Sequence, residues 1–219
     1  MNVTGNPAVR KELFVVIAVF LVPPIVVRGG TTLALSVTQA AIEVLSSGFQ
    51  LIIVLAVARR TDGTPPRGFG LSWPRLRDAI AAILAIIVLA VAAVAYLSLA
   101  PGETERFTVT AHGVVPWISV FLAVVIAIAA AYREEFLYRV YIVRRFAEAG
   151  YTPFAAVAFG AIVFGAAHLS QGVAAAVYAT ILGAALSVVY IVTGSLHGLA
   201  IAHAAYNISV IVRRIPGVW

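Results

Sequence analysis

Long apolar runs separated by short polar loops make up most of the chain. Seven such runs lie at residues 13–27, 33–58, 79–100, 117–149, 153–169, 173–192 and 196–212. A helix needs about 20 mainly apolar residues to cross the hydrocarbon core of a bilayer, and the run at 117–149 is too long for one upright span. The pattern therefore predicts an all-α fold, a polytopic transmembrane helical bundle of about seven spans.

Helix-breaking residues mark the boundaries between these runs. Pro23 and Pro24 are expected to kink the first run, because proline removes a helical hydrogen bond. Gly150 predicts a helix end, and Thr152 followed by Pro153 predicts the cap and first residue of the next helix. Short polar connections follow from these signals, and no linker between separate domains is indicated.

Composition supports a membrane protein over a soluble domain with a large core. The chain is 62% hydrophobic and 11% charged, whereas soluble domains average about 45–50% apolar and about 25% charged residues. The net charge of +6 comes from arginines in short loops, as in membrane proteins, and does not indicate a nucleic-acid partner. The absence of cysteine excludes thiol catalysis, disulfides and cysteine-ligated metals.

The distribution of arginine predicts the orientation in the membrane. The loop at 59–78 is the most basic and is expected to be cytoplasmic. Seven spans would then place Arg213 and Arg214 outside, against the same rule, so one run would be re-entrant or the first would not cross. The alanine-, valine- and arginine-rich, lysine-poor composition favours a multi-pass protein of a prokaryotic cell membrane.

Two adjacent carboxylates and an arginine follow an uncharged apolar run, at Glu134, Glu135 and Arg139. Such residues cost about 2.5–3.5 kcal/mol each at membrane depth, so they are candidates for function. Glu135 and Arg139 are four residues apart in the favourable order for an ion pair. Glu134 points about 100° away on the helix and is expected to be available for chemistry.

Two further polar pairs follow in the later runs. His168 lies one turn after Phe164, and His203 lies one turn before Asn207. Each pair alone is consistent with packing or an interhelical hydrogen bond. Together with Glu134 they supply a base, a water-orienting group and donors for an oxyanion, which are the groups of a hydrolase. His112 and His197 are expected to be a solvated loop residue and a structural residue, respectively.

A polar stripe runs along one face of the second predicted helix, at Ser36, Gln39, Glu43, Ser46 and Gln50. It is consistent with hydrogen bonding inside the bundle. Alternatively, it lines a substrate cavity, with Glu43 as a secondary charged group.

Three ordered motifs occupy the second half of the chain: Glu134-Glu135 with Arg139, Phe164 with His168, and His203 with Asn207. Together they resemble the CPBP family of intramembrane endopeptidases, the CAAX-prenyl-protease and bacteriocin-processing family, also called Abi. The resemblance covers about residues 117–212. It implies one integral membrane domain over 1–219, with accessory spans at 1–110 and a catalytic core at 111–212.

The resemblance also implies a role for each motif residue. Glu134 and His168 would activate a water, and His203 and Asn207 would stabilise the oxyanion. Glu135, Arg139 and Phe164 would support the site. The substrate would be a peptide bond in a membrane-associated peptide or lipidated protein, in a CAAX-type tail or a leader peptide, and the site would open toward the cytoplasm.

Metal dependence is a separate question. Members are often called metalloproteases, and Glu134, His168 and His203 could form a zinc site with an open position. The helical His-Glu-x-x-His signature is absent, so we favour a metal-free mechanism with Glu134 as the base.

Two other classes of protein share some of these features. An ion- or proton-coupled transporter would use Glu43, Glu134 and the histidines as a relay, but the polar residues are concentrated in the C-terminal half and no internal repeat is visible. A catalytically idle immunity or scaffold protein on the same fold is disfavoured by the complete motif set.

Overall fold

The computed structural model describes residues 5–22, 32–99, 108–111, 114–215 and 217, and over these residues the fold is a helical bundle. The helices are α1 (Pro7–Val16), α2 (Val37–Asp62), α3 (Leu76–Leu99), α4 (Pro116–Glu135), α5 (Ile142–Glu148), α6 (Pro153–Ala167), α7 (Val173–Thr193) and α8 (Leu196–Val212). A π-helical segment, Phe136–Tyr141, joins α4 to α5 without a break, and another, Ile17–Leu21, extends α1. Short 3₁₀ turns lie at Pro66–Phe69 and Leu169–Gln171. The all-α prediction is confirmed.

Within the described residues, four helices are long and apolar enough to cross a membrane. They are Val37–Asp62, Leu76–Leu99, Val173–Thr193 and the continuous Pro116–Glu148, whereas α6 and α8 are apolar but shorter. Large apolar side chains such as Leu45, Ile83 and Val192 are exposed on their outer faces, as expected for surfaces in contact with lipid. The chain is a multi-pass membrane protein, and the count of seven full spans is not confirmed.

The N-terminal boundaries differ from the predicted ones. The first helix begins at Pro7, where the Asn6 side chain accepts a hydrogen bond from the Ala8 N–H at 2.9 Å, and not at residue 13. This cap and the proline at the first helical position override the polar character of the first turns. The Pro23-Pro24 kink and His112 lie outside the described residues.

A small parallel sheet at one end of the bundle was not predicted. Strand β1 (Thr32–Ala34) pairs with β2 (Thr108–Thr110), with Leu33 opposite Val109. It takes the place of the predicted start of the second helix, which instead begins at Val37 with Ser36 as its cap. Strands of three residues are too short for periodicity to reveal.

The predicted boundaries in the second half of the chain are confirmed. Gly150 has φ +86° at the end of α5, and the Thr152 hydroxyl accepts from the Ala155 N–H at 3.1 Å, with Pro153 as the first residue of α6. Gly194 takes φ +62° between α7 and α8. These local signals work because caps and left-handed glycines involve only neighbouring residues.

The site lies where α8 packs against α3 on one side and α4 on the other. Gly198 permits close approach of α8 to α3, since a Cβ there would lie 2.4 Å from the Asp78 carbonyl oxygen. On the other side of the bundle, α6 packs along α7, and a Cβ on Gly165 would meet the Ala176 carbonyl oxygen at 2.7 Å. These close contacts fix α8 and α6, which carry two of the three motifs, against neighbouring helices.

Candidate active site

A cavity of about 860 Å³ lies inside the bundle and brings the three motifs together. Glu134, His168, His203 and Asn207 all line it, and so does Phe164. They come from α4, α8 and the last turn of α6. Residues more than 30 positions apart in the chain therefore face one space.

Glu135 connects α4 to α8 at the base of this site. Its Oε1 accepts a hydrogen bond from Nδ1–H of His203 at 2.7 Å, and its Oε2 lies 3.3 Å from Nε of Arg139. Both Glu135 and Arg139 are buried, with side chains 0% and 1% exposed. The predicted Glu135–Arg139 pair is present, and the contact with His203 is an addition that the sequence did not indicate.

Arg139 is the less satisfied member of this pair. Its Nη1 and Nη2 have no hydrogen-bond partner among the described residues, although both are buried. The guanidinium carbon instead lies 4.0 Å from the centroid of the Phe164 ring, a cation–π contact. Phe164 also touches His203 edge-on, at 6.3 Å between ring centroids. Phe164 thus packs against both the cation and the histidine of the site.

Glu134 pairs with Arg133, a residue that the sequence analysis did not single out. Arg133 Nη2 lies 3.2 Å from Glu134 Oε1, while Arg133 Nη1 pairs with Glu43 Oε1. The other oxygen of Glu134, Oε2, lies 3.8 Å from Nε2 of His203, too far for a direct hydrogen bond. Glu134 is one-fifth exposed toward the cavity.

The polar stripe on α2 packs inside the bundle and does not line this cavity. Its five members are all half-buried, and none is among the described residues that line the cavity. Glu43 reaches Arg133, and the Ser46 hydroxyl donates to the Glu43 carbonyl oxygen. The stripe therefore favours the hydrogen-bonding interpretation.

His168 lines the cavity and has one ring nitrogen engaged in a hydrogen bond. Its Nδ1 lies 2.8 Å from the carbonyl oxygen of Phe164. A carbonyl oxygen only accepts, so Nδ1 carries the proton and Nε2 keeps its lone pair. That tautomer can accept a proton or a hydrogen bond from water. Within the described part of the chain, His168 and Glu134 share the cavity but make no direct hydrogen bond.

Asn207 lies one turn beyond His203 on the same face of α8. Its side chain lines the cavity, and its amide makes no hydrogen bond to any described residue. A side-chain amide carries two N–H donors. Asn207 therefore offers unused donors to a ligand in the cavity.

His197 lies apart from this constellation. Its Nε2 donates to the Ser72 carbonyl oxygen at 2.7 Å, and its Nδ1 accepts from the Tyr132 hydroxyl at 3.1 Å. Both ring nitrogens are engaged, and His197 is not among the described residues that line the cavity. This arrangement agrees with the structural role expected for it.

The cavity extends along α8 from His203 to Arg213 and Arg214. Tyrosines form part of its wall, where the Tyr178 hydroxyl donates to the Tyr206 hydroxyl at 3.1 Å. The basic loop at 59–78 lies at the opposite end of α8, since the Ser195 hydroxyl at the start of α8 bonds to Asp78. The arginine-bearing end of the cavity and the basic loop are thus at opposite ends of the bundle.

The helix that carries Glu134 and Glu135 changes its winding directly after them. Residues Phe136–Tyr141 are π-helical and fully buried. Single π-turns inside helices occur often at functional sites. Here the π-helical segment directly follows Glu135 and contains Arg139.

The candidate metal ligands are Glu134, His168 and His203. Across residues 5–22, 32–99, 108–111, 114–215 and 217, no group of three or more His, Asp or Glu side chains is arranged to hold a metal ion. Glu134, His168 and His203 line the cavity without meeting that requirement.

Comparison with known proteins agrees with the motifs. Residues 116–209 match the family described as "Type II CAAX prenyl endopeptidase Rce1-like". The match begins with α4, ends within α8 and contains all three motifs, and it confirms the predicted resemblance. No curated protein and no solved structure matches the chain.

Proposed function

We propose that the protein is an intramembrane endopeptidase that uses Glu134 as its base, since residues 116–209 match the family described as Type II CAAX prenyl endopeptidase Rce1-like. The observation that carries the proposal is the convergence of Glu134, His168, His203 and Asn207 on one cavity. Neither the transporter nor the idle-scaffold alternative is favoured by the family match.

The hydrolytic step begins with a water between Glu134 and His168. Glu134 accepts a proton from this water, and the remaining hydroxide oxygen attacks the carbonyl carbon of the peptide bond. His168 orients the water through the lone pair on Nε2, since its Nδ1–H is held by the Phe164 carbonyl oxygen. Glu134 then returns the proton to the leaving nitrogen as the C–N bond breaks.

The negative charge on the substrate oxygen is stabilised from α8. Asn207 donates an amide N–H, and His203 donates from Nε2 when it is doubly protonated. The carboxylate of Glu135, 2.7 Å from Nδ1, stabilises that imidazolium and fixes the ring orientation. Arg139 and Phe164 hold Glu135 and His203 in place.

We propose that this chemistry is metal-free. The support is the arrangement of the side chains, which provide a base and oxyanion donors but no three-ligand group among the described residues. The expected result is full activity of the purified protein after treatment with EDTA and 1,10-phenanthroline. Loss of activity that added Zn²⁺ restores would contradict it.

The substrate class proposed is a membrane-associated peptide or lipidated protein tail. The cavity wall is largely apolar, with residues such as Leu89, Leu182 and Ala202, and it is large enough for several side chains. Such a wall suits an extended apolar segment that enters from the membrane. Peptides with a Cys-aliphatic-aliphatic-X tail, with and without a prenyl group on the cysteine, are the first substrates to test.

The side from which the substrate enters follows from the membrane orientation. If the loop at 59–78 is cytoplasmic, the end of the cavity at Arg213 faces the other side of the membrane. A cytoplasmic opening of the cavity at Arg213 would therefore require the loop at 59–78 to lie on the non-cytoplasmic side. The absence of native cysteine permits a direct test with single cysteines at Trp73 and Ser209. A membrane-impermeant maleimide should label the two variants from opposite sides. Labelling from the same side would contradict the bundle geometry.

The test of the function is cleavage of these peptides by purified protein in nanodiscs. Glu134→Gln should lower kcat by about 10²–10⁴-fold, the usual contribution of a general base. Glu148→Gln is the matched control, because Glu148 also pairs with arginines in the same continuous helix but lies outside the cavity. Equal turnover by Glu134→Gln and the unmodified protein would reject the proposal.

A further inference from the structure

The guanidinium of Arg133 joins Glu43 on α2 to Glu134 on α4. One nitrogen pairs with Glu43 Oε1, and the other lies 3.2 Å from Glu134 Oε1. We propose that Glu43 is a positioning residue that acts through Arg133 to hold the base Glu134 in its reactive orientation. This inference rests on the proposed role of Glu134.

Glu43 and Arg133 lie behind the base and not in the substrate space. Neither is among the described residues that line the cavity, whereas Glu134 is. Their side chains are 16% and 22% exposed, so both charges are mostly removed from solvent. A residue in this position affects the reaction only through the group that it holds.

The two oxygens of Glu134 have different surroundings as a result. Oε1 is held by Arg133, and Oε2 lies on the side of His203, 3.8 Å from Nε2. One oxygen is therefore anchored while the other remains available to a water in the cavity. This division depends on Arg133 presenting only one nitrogen to Glu134, which it does because Glu43 takes the other.

Removal of the Glu43 charge should disturb this arrangement. An arginine with one carboxylate partner favours a bidentate pair, in which both oxygens accept from the guanidinium. Without Glu43, Glu134 becomes the sole carboxylate partner that the structure shows for Arg133 among the described residues. Oε2 would then be drawn from the cavity toward Arg133, and proton transfer from water would slow.

A structural role for Glu43 predicts a different outcome. If the Glu43–Arg133 pair served only to join α2 to α4, its loss would lower stability and leave kcat of the folded protein unchanged. Measurement of kcat and KM on folded protein in nanodiscs distinguishes a positioning role of Glu43 from a purely structural one. Glu43→Gln preserves the side-chain volume and is the variant to compare.

We expect Glu43→Gln to lower kcat by about 10- to 100-fold, in the range caused by misplacement of a reacting group, with KM changed less than about twofold. Glu43→Asp keeps the charge and should recover most of this loss. Gln50→Ala, two turns along the same face of α2, should retain full activity. Unchanged kcat in Glu43→Gln would overturn the proposal, as would a variant that no longer folds.

The double variant Glu43→Gln with Arg133→Gln tests whether Glu43 acts through Arg133. The double variant should have the kcat of Arg133→Gln within about twofold, whereas independent effects would multiply. A multiplied loss would overturn the inference. Full activity in Glu134→Gln would instead reject the proposed function, in which Glu134 is the base. Failure of the inference about Glu43 can therefore be distinguished from failure of the proposed function.

Discussion

Two clusters of buried charge lie along the continuous helix Pro116–Glu148, and they are built differently. The Arg145 cluster joins α1, α2 and α5 at one end of the bundle and consists of Glu12, Asp62, Tyr141, Arg145 and Glu148. Arg145 is completely buried, and all its guanidinium nitrogens have hydrogen-bond partners. The cluster lies outside the cavity.

The Arg139 cluster consists of Glu134, Glu135, Arg139 and His203, and its unused hydrogen-bonding capacity lies beside the cavity. Among the described residues, the Arg145 cluster leaves one buried atom, Glu12 Oε2, without a hydrogen-bond partner, and it lies away from the cavity. Two nitrogens of Arg139, which lies over an aromatic ring, have no hydrogen-bond partner among the described residues, and Glu134 lines the cavity. Buried charge alone therefore does not identify an active site. Unused hydrogen-bonding capacity next to a cavity does indicate an active site, because a substrate needs donors and acceptors that the fold has not already paired.

The largest effect expected is on stability, in the Arg145 cluster. Arg145→Met keeps much of the volume but leaves Glu12, Asp62 and Glu148 close together without their cation. We expect a loss of about 3–5 kcal/mol in the free energy of unfolding, measured by SDS titration in mixed micelles. The kcat of the folded fraction should be unchanged. A large fall in kcat would mean that the two clusters are coupled.

The next effect is on catalysis alone. Asn207→Ala removes a proposed oxyanion donor and should lower kcat by about 10²–10³-fold. Since the amide has no hydrogen-bond partner among the described residues, the unfolding free energy should change by less than about 0.5 kcal/mol. Normal kcat in this variant would remove Asn207 from the mechanism.

A smaller effect on stability is expected at Tyr141. Its hydroxyl donates to Glu12 Oε1 at 2.8 Å, and Glu12 keeps Arg145 as a partner. Tyr141→Phe should cost about 1–2 kcal/mol in unfolding free energy with kcat unchanged. Tyr206→Phe is the comparison on the cavity side, where a change in KM is expected instead. A change in the kcat of Tyr141→Phe would contradict the prediction that Tyr141 affects stability alone.

The smallest effect expected is at the far end of the cavity. Arg213 is exposed, lines the cavity and has no ion-pair partner among the described residues. Arg213→Gln should raise KM by about two- to fivefold for peptides with a free terminal carboxylate, in keeping with the energy of an exposed ion pair. Amidated peptides are the control and should show no change. An equal rise in KM for the free and the amidated peptides would exclude an interaction between Arg213 and the terminal carboxylate.

Local sequence patterns were sufficient for most helix boundaries and for the four polar residues that line the cavity. The bounds of α8 and the cap of α6 match the predicted ones, because capping and periodicity depend on residues within a few positions. Glu134, His168, His203 and Asn207 were identified because polar residues are costly in an apolar run and therefore conspicuous. The three-residue strands and the early start of α1 carried no comparable signal.

The partners of these residues followed only from the packing of the helices. Glu43 and Arg133 are 90 positions apart, and His203 and Glu135 are 68 apart. No periodicity within one helix indicates which face of another it will meet, so neither pair was foreseen. The site residues could be recognised in the sequence because a charged residue within an apolar run is costly to bury. Their pairing could not be recognised, because it depends on distances that exist only after the helices have packed.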